Sequence, residues 1–304
     1  MKLEGIHHIT AITADAQRNV DFYAGTLGLR MVKKTVNQDA PSVYHLFYAD
    51  EQGSPGADIT FFEFRGAPVG RAGAGMVHRI VWRVGSAEAL DFWSQRLTAA
   101  EVNSHREGDS VRFSDPEGLD HELVVAQVSD QPLFADHPEV PAEFALQGFH
   151  AARAYSSDPE RSRTLLESLE FDQVEGSWEA RGSDRGGRWS YDEPPTEPGI
   201  EGAGTVHHIA WASQMDDHER WREQAVAGGA RPTPVIDRFW FRSIYFREPS
   251  GVLFEIATLG PGFGVDEDAE HLGEKLILPP FLEDRRDEIE AALVPVTNPR
   301  AVRT

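Results

Sequence analysis

The chain has 304 residues, 40% of them apolar, a formal charge of −21 and no cysteine. That length holds two domains of ordinary size, the missing cysteine excludes disulfides, thiolate metal sites and cysteine nucleophiles, and the acidic balance argues against a nucleic-acid-binding surface, which needs a basic patch. No apolar run approaches the roughly 18–20 residues that span a bilayer, and the opening "MKLEGIHHIT" has no signal-peptide core, so a soluble, cytoplasmic protein is expected.

The first element, "GIHHITAI" at 5–12, alternates apolar and polar residues as a strand does. Val20, Tyr23, Ala24 and Leu27 follow at helical spacing, with Asp15 as the N-cap and Gly28 as the stop. Strand-like runs at 29–36, 43–49 and 58–64 complete a βαβββ module. The opening phrase then returns as "GMVHRIVW" from 75, "QGFHAARA" from 147 and "GTVHHIAW" from 204, which implies four such modules. Module two closes with "RFSDPEGLDHELVVA" and module four with "YFREPSGVLFEIAT", each placing an Asp/Glu-Pro-x-Gly turn before the last strand. The later strands of module three fall somewhere in 171–195. Residues 129–144, rich in proline and acid, read as a linker. From 263 the chain becomes an acidic tail with one helix, at 284–293.

Aligned on their apolar positions, the four phrases give two columns. The first holds His7, His78, His150 and His207; the second holds His8, Arg79, Ala151 and His208. A histidine in every copy points to a repeated structural role. A histidine in two copies of four points to a site kept where it is used. In the last strands Glu122 matches Glu255, and Glu63 of "TFFEF" is set opposite the glutamate of "LFEI". Strand neighbours point to opposite faces, so one histidine of each doublet faces a given cavity.

Repeated βαβββ modules with histidine on the first strand and glutamate on the last resemble the vicinal oxygen chelate superfamily, the glyoxalase, bleomycin-resistance and extradiol-dioxygenase group. More narrowly, the doublets together with "PVIDRFWFRSIYFREPSGVLFEIAT" at 234–258 look like the ring-cleaving dioxygenases that open hydroquinones. The likeness runs through "LPPFLEDRR" at 278–286. It implies an α+β fold of four modules forming two open-barrel domains. On that scheme 1–128 is the first half, 129–144 the linker, 145–262 the second half and 263–304 the tail. It also implies Fe(II), with Mn(II) as the other ion, held by His8, His208 and Glu255, and O₂ as co-substrate. For those three ligands to meet, module one must pair with module four. Pairing three with four offers Ala151 beside His208 and Glu255, and pairing one with two offers His8 beside Arg79.

The resemblance assigns Arg238 to orienting or neutralising a phenolate, and Tyr245 and His207 to hydrogen-bonding ligand oxygens and moving protons. Thr10 shares strand parity with His8 and is expected in the same cavity. Parity turns His7 and His207 away from it unless a bulge redirects them. His45 and His121 read as strand packing. The implied partner is a small aromatic diol of hydroquinone or catechol type, with no nucleic acid or membrane, and with room for a homo-oligomer. Two alternatives stay open. If Glu63 is also a ligand, the set suits a glyoxalase-type isomerase or lyase; without redox chemistry the fold also serves small-molecule binding or resistance proteins. Lysine occurs only at 2, 33, 34 and 275 against 50 acidic residues, a surface expected where high salt screens self-repulsion.

Overall fold

A computed structural model describes residues 1–299. Its element order runs strand, helix and three strands four times over. The first pass is β1 (Ile6–Thr13), α1 (Ala16–Val20), β2 (Arg30–Asn37), β3 (Ala40–Ala49) and β4 (Asp58–Glu63). Asp15 caps α1 by accepting the Arg18 N–H at 3.1 Å. The helix continues through a π-helical turn, Asp21–Thr26, and Gly28 ends it at a φ of 71°, a conformation glycine adopts without a Cβ penalty. The second pass is β5 (Val77–Val84), α2 (Ala87–Ala99), β6 (Ser104–Glu107), β7 (Ser110–Ser114) and β8 (Asp120–Val125). The third is β9 (Phe149–Tyr155), α3 (Arg163–Ser168), β10 (Asp172–Val174), β11 (Ser177–Arg181) and β12 (Gly186–Asp192). The fourth is β13 (Val206–Ser213), α4 (His218–Ala227), β14 (Ile236–Asp237), β15 (Phe241–Arg247) and β16 (Leu253–Pro261).

The strands form two eight-stranded sheets. One runs β14-β15-β16-β13-β1-β4-β3-β2 and joins the first and fourth passes; the other runs β10-β11-β12-β9-β5-β8-β7-β6 and joins the second and third. Each sheet thus takes one unit from residues 1–128 and one from 145–262. The seam of each is an antiparallel pair of first strands, β1 with β13 and β5 with β9. The sheets pack against each other closely where these strands begin. A Cβ on Gly204 would come within 2.2 Å of the Glu117 carbonyl, and one on Gly5 within 2.7 Å of Gly186.

Both seams are bulged, and the bulges fall on the uniform histidine column. Ile6 faces Trp211 and His8 faces Ala210, so His7 is the extra residue; Thr10 faces His208 and Ala11 faces Val206, so His207 is extra on the other strand. The same shifts leave His78 and His150 unpaired in the second seam. A bulge lets two successive residues depart from strict alternation and re-aims their side chains. The repeated structural role of the first column is this bulge.

One large apolar cluster spans both sheets and their helices; a second, including Phe47, Trp240, Phe241, Phe263 and Leu272, fills the concave side of the first sheet. The tail supplies part of that filling. Phe263 lies 5.2 Å from the Phe47 ring, and Asp266 accepts the Trp240 indole N–H at 2.9 Å. Lys33, fully buried, is neutralised by Asp266 and Glu267 from the same segment. Helix α5 (Arg286–Ala292) follows a 3₁₀ stretch, Pro280–Arg285, where the tail helix was expected. No helix among the described residues is long and apolar enough to cross a membrane.

Candidate metal centre

His8, His208 and Glu255 converge at the seam of the first sheet. His8 Nε2 lies 3.3 Å from His208 Nε2, and Glu255 Oε2 lies 3.3 Å from His8 Nε2 and 3.0 Å from His208 Nε2. All three residues are buried. Register explains the meeting: Thr10 faces His208 across the antiparallel seam, while Ala210 pairs with Glu255 on the parallel neighbour β16. Among the described residues this is the group of histidine and carboxylate side chains whose ligand atoms all fall within 4.8 Å of one another.

The protons around the group can be placed. The Thr258 carbonyl only accepts, so the His7 Nε2 at 3.1 Å donates to it and His7 Nδ1 is left as an acceptor. His8 Nδ1, 2.9 Å away, must then carry the proton of that contact, which leaves His8 Nε2 with a lone pair aimed at the centre. On the other strand His207 Nδ1 and His208 Nδ1 are 2.8 Å apart. Orientation of a ligating imidazole through its other nitrogen is the usual support of a metal site. Burial pushes His7 down to about 3 and His208 down to about 4, so both are neutral at pH 7. Burial alone would raise the Glu255 carboxyl, but His8 and His208 outweigh it and hold the group well below the usual carboxylate range. Ser243 donates to Glu255 Oε1 at 2.5 Å, whereas among the described residues the buried Oε2 has only the two imidazoles beside it. With His8 in this neutral tautomer, its Nε2 lone pair and the Glu255 carboxylate oxygen Oε2 face each other at 3.3 Å as two acceptors that a shared proton or cation must bridge. A cation between them resolves that repulsion, and two imidazoles with one carboxylate are a donor set suited to a divalent transition metal.

A narrow cleft leads to the three side chains, lined by Phe47, Phe62, Trp240, Phe241, Tyr245 and His45, with Arg238 and the β2–β3 turn at its mouth. Tyr245 is the cross-strand partner of Glu255. Burial, then the Glu255 charge, raises its phenol pKa above the usual value, so the hydroxyl is neutral. Arg238 Nε reaches that hydroxyl at 3.3 Å, and its other nitrogens hold Asp39 at 3.0 and 3.3 Å. The loop presenting Arg238 is strained, with Phe239 at a φ of 72° and its N–H held by Asp237 at 2.8 Å.

The other expected residues lie outside the cleft lining. Thr10 is fully buried and paired with Thr60 at 2.8 Å, and His207 occupies the bulge behind His208. Glu63 is not where its sequence match put it. Residues stand in register with the first strand as Ala210 with Glu255, Val81 with Glu122, and Thr10 with Thr60, so Thr60 is the counterpart of Glu255 in the first module. Glu63 lies five residues beyond the His8 partner Asp58, roughly 16 Å along the strand, and accepts the Ala16 N–H at the start of α1. In the second sheet the matching positions are Arg79, Ala151 and Glu122. There Arg79 sits 3.5 Å and Arg112 3.1 Å from Glu122, and guanidinium groups stand where the first sheet gathers imidazoles.

His45 was missed as a cleft residue. It shares parity with Phe47 on β3, and burial together with His8 and His208 keeps it neutral. The alternating phrase "VYHLFY" could have raised it, but alternation alone does not say which face is inner.

Known proteins agree with this architecture. Residues 5–123 and 148–256 match the model of the family described as "Glyoxalase/Bleomycin resistance protein/Dioxygenase superfamily". The chain is 43% identical over 97% of both lengths to a Bacillus subtilis protein named "Putative ring-cleaving dioxygenase MhqO". It is 33% identical, over 95% of both lengths, to the chlorohydroquinone/hydroquinone 1,2-dioxygenase of Sphingobium indicum. A crystal structure titled as a putative dioxygenase from Bacillus subtilis superposes with a TM-score of 0.88 at 40% identity, covering 98% of each chain. Maize glyoxalase I shares the fold at a TM-score of 0.57 and 15% identity, with 84% of this chain covered. With paired modules, a bulged seam and these relatives over nearly its whole length, the chain belongs to the glyoxalase/bleomycin resistance protein/dioxygenase superfamily.

Proposed function

We propose that the protein is a metal-dependent ring-cleaving dioxygenase acting on a hydroquinone- or catechol-type diol. Its ligands are His8, His208 and Glu255, its ion is Fe(II), with Mn(II) as the other candidate, and its co-substrate is O₂. The observation that carries this reading is the buried convergence of two imidazoles and one carboxylate at the foot of an aromatic-walled cleft. When bound, the ion supplies a Lewis-acid and redox centre with positions left for diol and O₂. Both oxygen atoms enter the ring-opened product, so no outside reductant is called for.

The chain's own residues do the rest. Phe62 and Phe241 flank the cleft and accept a flat ring. Arg238 supplies a permanent positive charge for a phenolate, exchanging its contact with the exposed Asp39 for one with the ligand. The neutral Tyr245 hydroxyl donates a hydrogen bond to an anionic oxygen, and the Arg238 contact fixes its direction. Thr10 and His207 take part through their neighbours, Thr10 through Thr60 and His207 through the His208 ring. The isomerase alternative rested on Glu63 as a second carboxylate, and its place beside α1 removes that support.

Metal analysis combined with oxygen uptake over a panel of hydroquinones and catechols tests the reading. The expected result is about one equivalent of iron and oxygen consumption with at least one diol. Glu255→Gln should lose most of the metal and Glu63→Gln should keep it. Turnover that continues undiminished without O₂ would overturn the oxygenase assignment.

A further inference from the structure

His45 has no role in the reading above, yet it stands in the same cleft as His8, His208 and Glu255. Its Nε2 lies 2.9 Å from the Thr60 hydroxyl, which lies 2.8 Å from the Thr10 hydroxyl. Thr10 Oγ1 meets no hydrogen-bonding group other than Thr60 Oγ1 among the described residues, and Thr10 is fully buried. If Thr60 donated to Thr10, the Thr10 proton would be stranded in a buried site, at a cost of roughly 1–3 kcal/mol. The reverse direction leaves no proton unused: Thr10 donates to Thr60, and Thr60 donates to His45 Nε2. A neutral imidazole whose Nε2 accepts carries its proton on Nδ1. Among the described residues His45 Nδ1 makes no hydrogen bond, and it is not closed off from the cleft.

We infer that His45 presents an Nδ1–H donor to the diol oxygen that Arg238 and Tyr245 do not take, with Thr60 and Thr10 as positioning residues that set its tautomer. The inference rests on the diol reading. Sheet order supports the division of labour: β3, which carries His45, and β15, which carries Tyr245, lie on opposite sides of the β13–β1 seam. The module relation supports it too. Thr60 is the counterpart of Glu255, and His45, across from Phe62, is the counterpart of Ser243, across from Ala257. In the fourth module the Ser243 hydroxyl donates to the Glu255 carboxylate, itself one of the three ligands; in the first, a threonine hydroxyl turns a histidine so that its N–H faces the bound diol. A donor placed for a second oxygen discriminates against ligands that lack one.

Three measurements on the metal-loaded protein test this. In ¹⁵N–¹H correlation spectra, with His45 assigned by its loss in His45→Gln, Nδ1 should be the protonated nitrogen, and Thr60→Val should abolish that preference. Protonation on Nε2 would overturn the inference whether or not the protein is an oxygenase. Anaerobic calorimetry with hydroquinone and with phenol forms the second test. His45→Leu should weaken hydroquinone by about tenfold and phenol by less than twofold, with metal content unchanged. Equal losses for both ligands would mark His45 as packing. The third is a double-mutant comparison: Thr60→Val should weaken hydroquinone on its own and have no further effect in the His45→Leu background, whereas additive losses would remove Thr60 as a positioning residue. Thr60→Ser, which keeps the donor, should restore affinity. If the wild-type protein binds no diol and takes up no oxygen, the diol reading falls and the tautomer spectrum alone decides the direction of the relay.

Discussion

Tyr245 carries the sharpest prediction at the level of single residues. Its hydroxyl is buried, neutral and touched by Arg238, and its backbone pairs with the strand position of Glu255. Tyr245→Phe keeps the ring against His208, whose centroid is 5.9 Å away, and removes only the donor. Metal content and diol affinity should stay close to wild type, while kcat for oxygen uptake falls by about 10²–10⁴, the usual range for losing an acid/base group. Unchanged turnover would make Tyr245 a packing residue. The sequence offers His8, His208 and Glu255 as a ligand set, and Arg238 and Tyr245 as their neighbours, through the family resemblance, because ligand types and turn motifs survive as letters. Two things are not legible in it. "TFFEF" and "LFEI" look alike, which sets Glu63 against Glu255 in sequence, and the three-residue offset is visible only with Thr60 in register with Thr10. His45 reads as strand packing in the sequence because nothing in a linear string tells the inner face of β3 from the outer one.

Elements explain why the doublets work at all. In a regular strand the two histidines of a doublet would point to opposite faces, yet their Nδ1 atoms touch at 2.9 and 2.8 Å. The extra residue in each bulge brings them to one side, so the first histidine of a doublet can orient the second. The column of four histidines pointed to a structural role, but a bulge leaves no mark in composition or alternation, so its nature became visible only with the strand register. The module pairing, by contrast, could be argued beforehand from the His8, Arg79, Ala151 and His208 column together with the ligand set that the resemblance implies. The same register yields a constructive test in the second sheet, where Glu122 already occupies the carboxylate position and His78 and His150 already occupy the bulges. Arg79→His combined with Ala151→His should create a second site of two imidazoles and one carboxylate. Zinc binding followed by calorimetry should then rise from one equivalent to two, and Glu122→Gln in that background should return it to one. A stoichiometry that stays at one would mean the two seams differ by more than their side chains.

At the scale of the whole molecule, two features govern response to solution conditions. The first is a buried chain of hydrogen bonds linking the second sheet to the helical turn Asp21–Thr26 of the first module: the Trp82 indole donates to His121 Nδ1 at 3.0 Å, His121 Nε2 meets the Tyr23 hydroxyl at 2.9 Å, and Tyr23 donates to Asp115 at 3.0 Å. Burial pushes His121 down to about 3, so the unfolded chain, with a histidine near 6.5, binds a proton that the folded protein refuses. This contribution is complete above pH 6.5 and is lost progressively as pH falls towards 3. Between pH 7 and 5 it amounts to about 2 kcal/mol. Asp115, raised by burial to about 6, acts in the opposite direction as it takes up a proton. Urea unfolding of wild type and His121→Leu at both pH values isolates the histidine: the variant should be less stable throughout but should lose about 2 kcal/mol less on acidification, and identical slopes would show that His121 is charged in the folded state. The second feature is charge. With 50 carboxylates against 29 cations, repulsion acts over a Debye length of about 30 Å at 0.01 M salt and about 3 Å at 1 M. Pairs such as Arg285 with Glu288 and Arg163 with Glu160 are exposed and contribute little that salt can take away, so screening of the net charge should dominate. We propose that the protein is adapted to high ionic strength. On that basis the melting temperature should climb steadily from dilute buffer to molar KCl, by about 3 °C for each 2 kcal/mol of repulsion removed. KCl is chosen because sulfate strengthens apolar burial in any protein and would blur the cause. A melting temperature that stays flat across that range would mean the acidic surface is tolerated at low salt and the high-salt adaptation is wrong.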